Sequence, residues 1–405
     1  MTARRRRILF ALVMLGLAGV AAAVLGRHLV AEHHYRAARL ALESDDFDEA
    51  VRHLNRCLET WPDSSAAHLL AARVARRSGD RDRAEDQLRQ AKRCGADPDA
   101  LTLEWVLLSA QAGEMTPAQE SYLKDCAARG GPDRVEILEA LSRGYARVYR
   151  LNDALAALTD WLELRPNDRA ALLKRSWVYE RLHRLEDAEV DCHRVTEHHP
   201  NDGEALLRRG QLLLALERQA DALPLFEKLR ESRPDSPAVA VGLARAYRGL
   251  GRTEEAEKVL DAACAAHPDE GPVLLERGRL AVQTGDRAAA LPWLRRAAGR
   301  EPWDYAVNYA LFQCLEALGE KVEAEKVGRR VEEIKADLAR MGELTDALQK
   351  APYSPALRCE IGRLFLRHGE KREGVLWLQS ALAIEPDYPP ARQALVEHQD
   401  RPGGE

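Results

Sequence analysis

Apolar and small residues recur along most of the chain at spacings of three and four, in paired stretches of roughly thirteen residues each. Residues 203–236, GEALLRRGQLLLALERQADALPLFEKLRESRPDS, show the pattern most clearly. Numbered from Gly203, the residues Leu206, Gly210 and Leu213 take places 4, 8 and 11, and Ala222, Phe226 and Leu229 take places 20, 24 and 27. These spacings predict two amphipathic helices. The polar run Glu217-Arg218-Gln219 separates them, and Pro234 with Asp235 and Ser236 ends the second and supplies an N-cap for the next. Two such helices cannot bury their apolar faces alone, so a copy must stack on each side.

The same 34-residue phase gives ten repeats, starting at Ala31, Ser65, about Asp99, Val135, Arg169, Gly203, Pro237, Gly271, Tyr305 and Pro355. Place 20 reads Ala50, Ala84, Ala118, Ala154, Ala188, Ala222, Ala256, Ala290 and Ala324, then Gly374, and a residue that small lets two helices approach closely. Proline at place 32 recurs as Pro62, Pro166, Pro200, Pro234, Pro268, Pro302 and Pro386. Gly79, Gly113, Gly251, Gly285, Gly319 and Gly369 close first helices as left-handed C-caps. Pro224 and Pro292, at place 22, fit if the second helix begins near place 19 or 20, where first-turn amides have no partner inside the helix. In the ninth repeat the rhythm breaks, and helix is expected to continue from Lys321 to about Lys350, stopped by Pro352. Val327, Val331, Ile334, Leu338, Met341, Thr345 and Leu348 form a heptad-like seam there, packing on the tenth repeat or pairing with another copy over residues 327–348.

Ten repeats with small residues near place 8, alanine at 20 and proline at 32 resemble the tetratricopeptide repeat (TPR) family over residues 31–388. The resemblance implies an all-α, right-handed solenoid whose first helices line a concave groove for a peptide or a partner's helix. By this reading residues 31–350 hold repeats 1 to 9, 355–388 hold repeat 10, and 389–405 form a capping helix and polar tail. The third repeat departs from the pattern, with Thr116-Pro117 at its second helix and no proline until Pro132. The family's tryptophan at place 4 is missing too, with Leu172, Leu206 and Leu274 in its stead. Apart from such departures the expectation is one long spiral held by adjacent pairs.

Composition refines this picture. Of the 405 residues 46% are hydrophobic and 31% charged, which fits a folded body rather than disorder. From His28 onward there are 55 basic against 65 acidic residues, which argues against general nucleic-acid binding. Seven cysteines without a CxxC or CxxCH are neither a disulfide framework nor a metal or haem signature, and Cys57 and Cys192 sit at packing places. Residues 1–7 (MTARRRR) form a basic, cytoplasmic N-terminus, and residues 8–26 are nineteen uncharged, mostly apolar positions. As a helix of about 28 Å they would span a bilayer, and the arginine bias places the repeats outside the cytoplasm. The expected location is the inner membrane, single-pass; the alternative is a secreted or periplasmic protein after cleavage near Ala21-Ala22-Ala23. Ala18, Ala22 and Gly26 offer a small-residue face for helix pairing. Arginine outnumbers lysine 50 to 10, which with the alanine richness points to a bacterial, GC-rich source.

The sequence contains no HExxH, GxGxxG, GxxxxGK or GxSxG, and no catalytic, cofactor or metal residue is assigned. The pairs His33-His34 and His198-His199 are adjacent, so their rings leave a helix on different sides. Place 9 stands out, reading Arg39, Arg73, Leu107, Arg143, Trp177, Gln211, Arg245, Arg279, Gln313 and Arg363. Arginine is 50 of 405 residues, so about one is expected in ten positions and six are found. Arg76, Arg77, Arg147, Arg181, Arg248 and Arg367, at places 12 or 13, would add to the same face.

This ladder, with Trp177 and Tyr309 as flat contacts, is the candidate groove for an acidic extended segment of a protein partner. The competing reading is a solvated face in which each arginine pairs with glutamates of its own or the next repeat. The function read from the sequence is a membrane-anchored, non-enzymatic interaction scaffold. One alternative is a cytoplasm-facing scaffold resembling the lipopolysaccharide assembly protein B family, against which the missing C-terminal CxxC pairs and the arginine bias both count. Another is an unrecognised enzyme or accessory subunit.

Overall fold

The computed structural model describes residues 25–399. Apart from Leu25 and Gly26 the expected span over 8–26 therefore lies outside the described residues, as does the end of the polar tail. Among the described residues no helix is long and apolar enough to cross a membrane, and every regular element is a helix. The chain divides into two compact bodies, one of residues up to 111 with 121–123, the other of 112–120 and everything from 124 onward.

The first body holds a helix over 25–43, then Phe47–Thr60, Ser65–Ser78, Arg81–Arg93 and Pro98–Gln111. Each packs on its sequence neighbour. In the second body the pairs run from Arg134–Arg147 with Leu151–Leu164 to Tyr305–Leu318 with Lys321–Lys350, followed by Pro355–Arg367, Lys371–Ile384 and the final helix Pro389–Gln399. First helices open on short oxygen-bearing side chains that take an orphan amide. Asp168 accepts from Ala171, Asp202 from Glu204 and Ala205, Asp304 from Val307 and Ser354 from Leu357. Ser236 occupies the same position without a side-chain capping bond.

Packing follows from residue size at places 8 and 20. Phe226 is fully buried between first helices of the sixth and seventh repeats, where Gly210 and Gly242 make room for its ring. A Cβ on Gly242 would come within 2.2 Å of that ring. The alanines at place 20 are buried, Ala222, Ala256 and Ala290 each at 0% exposure. Place 15 is left-handed in all ten repeats. Six carry glycine there, and the other four hold Asp45, Tyr149, His183 and Glu217 at φ of 54 to 59°. The turn therefore comes from the requirement to reverse the chain in two residues, and glycine only lowers its cost.

Three expectations need correction. The second helix of the third repeat begins at Pro117, two residues later than elsewhere, under a Thr116/Gln119 capping box. Ala118 is consequently exposed, and Glu120 fills the slot that alanine takes in the other repeats. The second helices of repeats 6 and 8 begin at Gln219 and Arg287, so Pro224 and Pro292 lie past the first turn and each removes one internal hydrogen bond. Adjacent pairing also does not account for the second body, because its last repeat returns to the third and fourth.

That return is made by the 30-residue helix Lys321–Lys350. Its first half buries Val331 and Ile334, and Val327 packs with Phe312 on the core of its own repeat. Its last turns bury Leu344 and Leu348 in a cluster with Val148, Ile361, Leu364 and Trp377. The seam thus faces its own chain at both ends, while Leu338 in the middle is 53% exposed. Around this cluster the Tyr149 ring stacks on Trp377 at 6.0 Å, and Asn152 donates to Gln349 at 3.3 Å. Tyr353 donates its hydroxyl to Glu120. The buried Arg358 donates to the carbonyls of Gly113, Ser380 and Pro352.

Glu120 is held by its own neighbourhood as well. Arg150 donates twice, at 2.6 and 3.0 Å, Tyr145 donates at 2.9 Å, and Lys124 lies at 2.6 Å. Burial pushes this carboxyl up, but the bonds from Arg150, Lys124, Tyr353 and Tyr145 outweigh it and hold it at about 2. Burial and then the Arg150 charge push the Arg358 guanidinium down to about 10.

Two outcomes are expected. Replacing Glu217 by glycine relieves a left-handed side chain and should stabilise the protein by up to about 1 kcal/mol, whereas Gly251→Ala should cost about 1–2 kcal/mol; urea unfolding of both variants measures this. Because the Glu120 carboxyl is depressed, its contribution is complete above its ordinary value of 4.5 and is lost as pH falls toward 2. Urea midpoints from pH 6 to 2 should show the advantage of the natural chain over Glu120→Gln, about 3 kcal/mol, shrinking through that window.

Candidate functional site

Several place-9 arginines are tied to glutamates within their own body. In the first body Arg73 donates to Glu104 at 2.7 Å and Arg76, three residues on, donates to the other oxygen at 3.1 Å. Burial raises the Glu104 carboxyl, but Arg76 and Arg73 outweigh it and keep it below the ordinary range. The arrangement recurs in the second body. Arg245 and Arg248 donate to Glu276 at 2.9 and 3.3 Å, and Arg279 adds a third bond at 3.0 Å. In both cases places 9 and 12 of one repeat clamp place 6 of the next, across 31 and 28 residues. Arg143 pairs with Glu139 at 2.9 Å one turn back on its own helix.

The remaining sequence-derived residues are not among the donors to Glu104 or Glu276. Arg39 is exposed. Trp177 is half-buried beneath the Arg181 guanidinium at 5.2 Å. Tyr309 is 40% exposed and stacks on Tyr305 at 5.6 Å. Arg363 donates to the Pro390 carbonyl and, with Arg367, lines a separate cleft of about 490 Å³ against the final helix.

The Glu276 clamp opens on a cleft with three guanidiniums. The cleft measures about 520 Å³ and is lined by Gln211, Gln219, Arg245, Arg248, Arg279 and Gln283, with Leu214, Ala215 and Gly249. The Glu276 side chain is 1% exposed, while those of Arg245, Arg248 and Arg279 remain 42, 31 and 32% exposed. Three cations therefore surround one anion, leaving two unbalanced positive charges at the wall of the cleft. Each guanidinium has five N–H donors, and Glu276 uses few of them. The glutamines add neutral donors and acceptors, so the wall suits a carboxylate-bearing chain with an exposed backbone. Among the described residues no three His, Cys, Asp or Glu side chains converge as a metal set. Cys192 is buried, and that burial pushes its thiol up to about 11, away from reactivity.

Sequence reasoning found Arg245, Arg279 and Arg248 and missed Glu276, the group that orients them. The available signal was an acidic residue at place 6 of a first helix, 28 and 31 residues after two arginines spaced by three. Gln211 shares place 9 with the arginines, whereas Gln219 and Gln283 had no signal of their own.

Three segments, residues 41–104, 213–275 and 281–344, match the tetratricopeptide repeat family. These three segments are tetratricopeptide repeats. Solved structures to which the chain is similar include a tetratricopeptide repeat protein from Parabacteroides merdae, 19% identical, covering 71% of this chain and 97% of that one with a TM-score of 0.49. MamA from Desulfovibrio magneticus is 22% identical over 43% of this chain and 98% of its own, with a TM-score of 0.39. YrrB, described as a TPR protein with an unusual peptide-binding site, is 20% identical over 51% and 97%, with a TM-score of 0.30. Comparison with curated proteins gives no sequence match. The TPR segments 213–275 and 281–344 supply the residues lining the cleft, apart from Gln211 and Arg279 just outside them.

Proposed function

We propose that this TPR protein is a non-enzymatic scaffold that holds an acidic, extended segment of a protein partner in the cleft of repeats 6 to 8. The observation that carries this reading is the surplus of two positive charges around Glu276. Glu276 acts as a buried strut: it fixes the three guanidiniums and leaves their outer edges for ligand carboxylates. The sequence alternatives of a solvated face and a binding face are thus compatible, since pairing with Glu276 orients the arginines without covering them.

The test is calorimetry of the full chain with a synthetic peptide alternating Glu and Ala. Arg279→Ala leaves Arg245 and Arg248 on Glu276, so the variant should unfold near the natural midpoint while losing roughly tenfold in affinity, and binding should weaken as salt rises. Equal affinity in a folded Arg279→Ala chain would remove the cleft from consideration.

We further propose that residues 8–26 tether this scaffold to the inner membrane with its repeats outside the cytoplasm. The support is the apolar length and the four arginines preceding it. A C-terminal alkaline phosphatase fusion should be active and a C-terminal green fluorescent protein fusion dark; the reverse result would place the repeats in the cytoplasm.

A further inference from the structure

The helix Lys321–Lys350 is buried at both ends and unsupported between them. From Lys335 to Glu343 none of its residues is buried. Its two glycines differ in kind. A Cβ on Gly328 would meet the Phe312 ring at 3.0 Å, so close packing accounts for that glycine. A Cβ on Gly342 would meet nothing within 4 Å. Gly342 has helical backbone and no close neighbour, so its main effect is to weaken the helix at the middle of the connection.

Beyond Gly342 lies everything that closes the second body: Leu344 and Leu348, Tyr353 on Glu120, Arg358 on Gly113, and Trp377 on Tyr149. The contacts that cross the glycine are few: Met341 packs on the cluster beyond it, His368 stacks on Trp303 at 4.9 Å, and the rest are polar. Arg367 and His368 reach Asp337, and Arg340 reaches Glu360. Arg340, Glu360 and Arg367 are about half exposed, and such pairs resist separation weakly. The surface made by Gly113, Glu120, Val148, Tyr149 and Asn152 is therefore a docking site for a TPR helix pair, occupied here by the chain's own tenth repeat.

We propose that this surface also accepts the tenth repeat of a second copy, released by bending at Gly342, so that two chains associate by exchanging their C-terminal repeats. The fit follows from identity: the hydrogen bonds and apolar packing that one chain gives up on opening form again in the same geometry against the other, and only the hinge differs. Closure within one chain prevails when dilute, and exchange gains with concentration. This route to self-association is independent of the arginine cleft and does not pair the heptad-like seams of two copies with each other.

Full-length chains carrying Asn152→Cys are mixed at high concentration with differently tagged full-length chains carrying Gln349→Cys, then treated with a short thiol-specific cross-linker. Both positions are exposed, and their side chains meet only when the tenth repeat is docked. A cross-linked heterodimer well above the yield from a control pair with Glu204→Cys in place of Asn152→Cys is the expected result. Adding Gly342→Ala to both chains should slow its appearance about fivefold. A yield equal to the control pair overturns the proposal, and so does an exchange rate untouched by Gly342→Ala.

Discussion

Close approach of two helices at place 20 is the constraint from which the rest of this structure follows. A methyl group fits the slot, and Ala222, Ala256 and Ala290 are sealed in it without any accessible surface. With the pair so tightly joined, each first helix turns its remaining apolar face to the next repeat, and stacking becomes the only way to bury it. Phe226 shows the consequence, because its ring enters between two first helices that meet it with glycines rather than side chains. At place 15 the same geometry forces a left-handed residue in every repeat, whatever the side chain.

The third repeat shows what happens when the slot receives a charge. A helix start delayed by two residues brings Glu120 into it, and a carboxylate there is tolerable only if fully bonded. Arg150, Tyr145 and Lys124 supply most of what it needs, and Tyr353, more than two hundred residues later, completes the set. Burial and the Glu120 charge in turn push the Tyr353 hydroxyl up to about 12. One displaced carboxylate thus gives the C-terminal repeat a polar anchor beside the apolar cluster of Val148, Leu348 and Trp377. A stack that would otherwise be stabilised only between neighbours is tied together across its distant repeats.

Buried glutamates do related work in each of the two bodies. Glu104 and Glu276 each fix arginines that come from the preceding repeat, so they staple consecutive first helices and set the direction of the guanidiniums at once. Around Glu276 the ratio of three cations to one anion leaves charge for a ligand; around Glu104 two cations leave less. A repeat architecture can in this way carry a local charge opposite to that of the whole chain.

The sequence alone determined the helix pairs, their period, the small slot and the turns, because each depends on residues within one or two turns of helix or on a spacing that recurs ten times. It also indicated the long helix Lys321–Lys350 from the missing proline. Tertiary structure alone decided how Glu276 arranges Arg245 and Arg248, and the return of the last repeat to Glu120 and Gly113. Those features rest on single side chains meeting across 28 to 245 residues, and an interaction made once between distant segments leaves no period for a sequence to display.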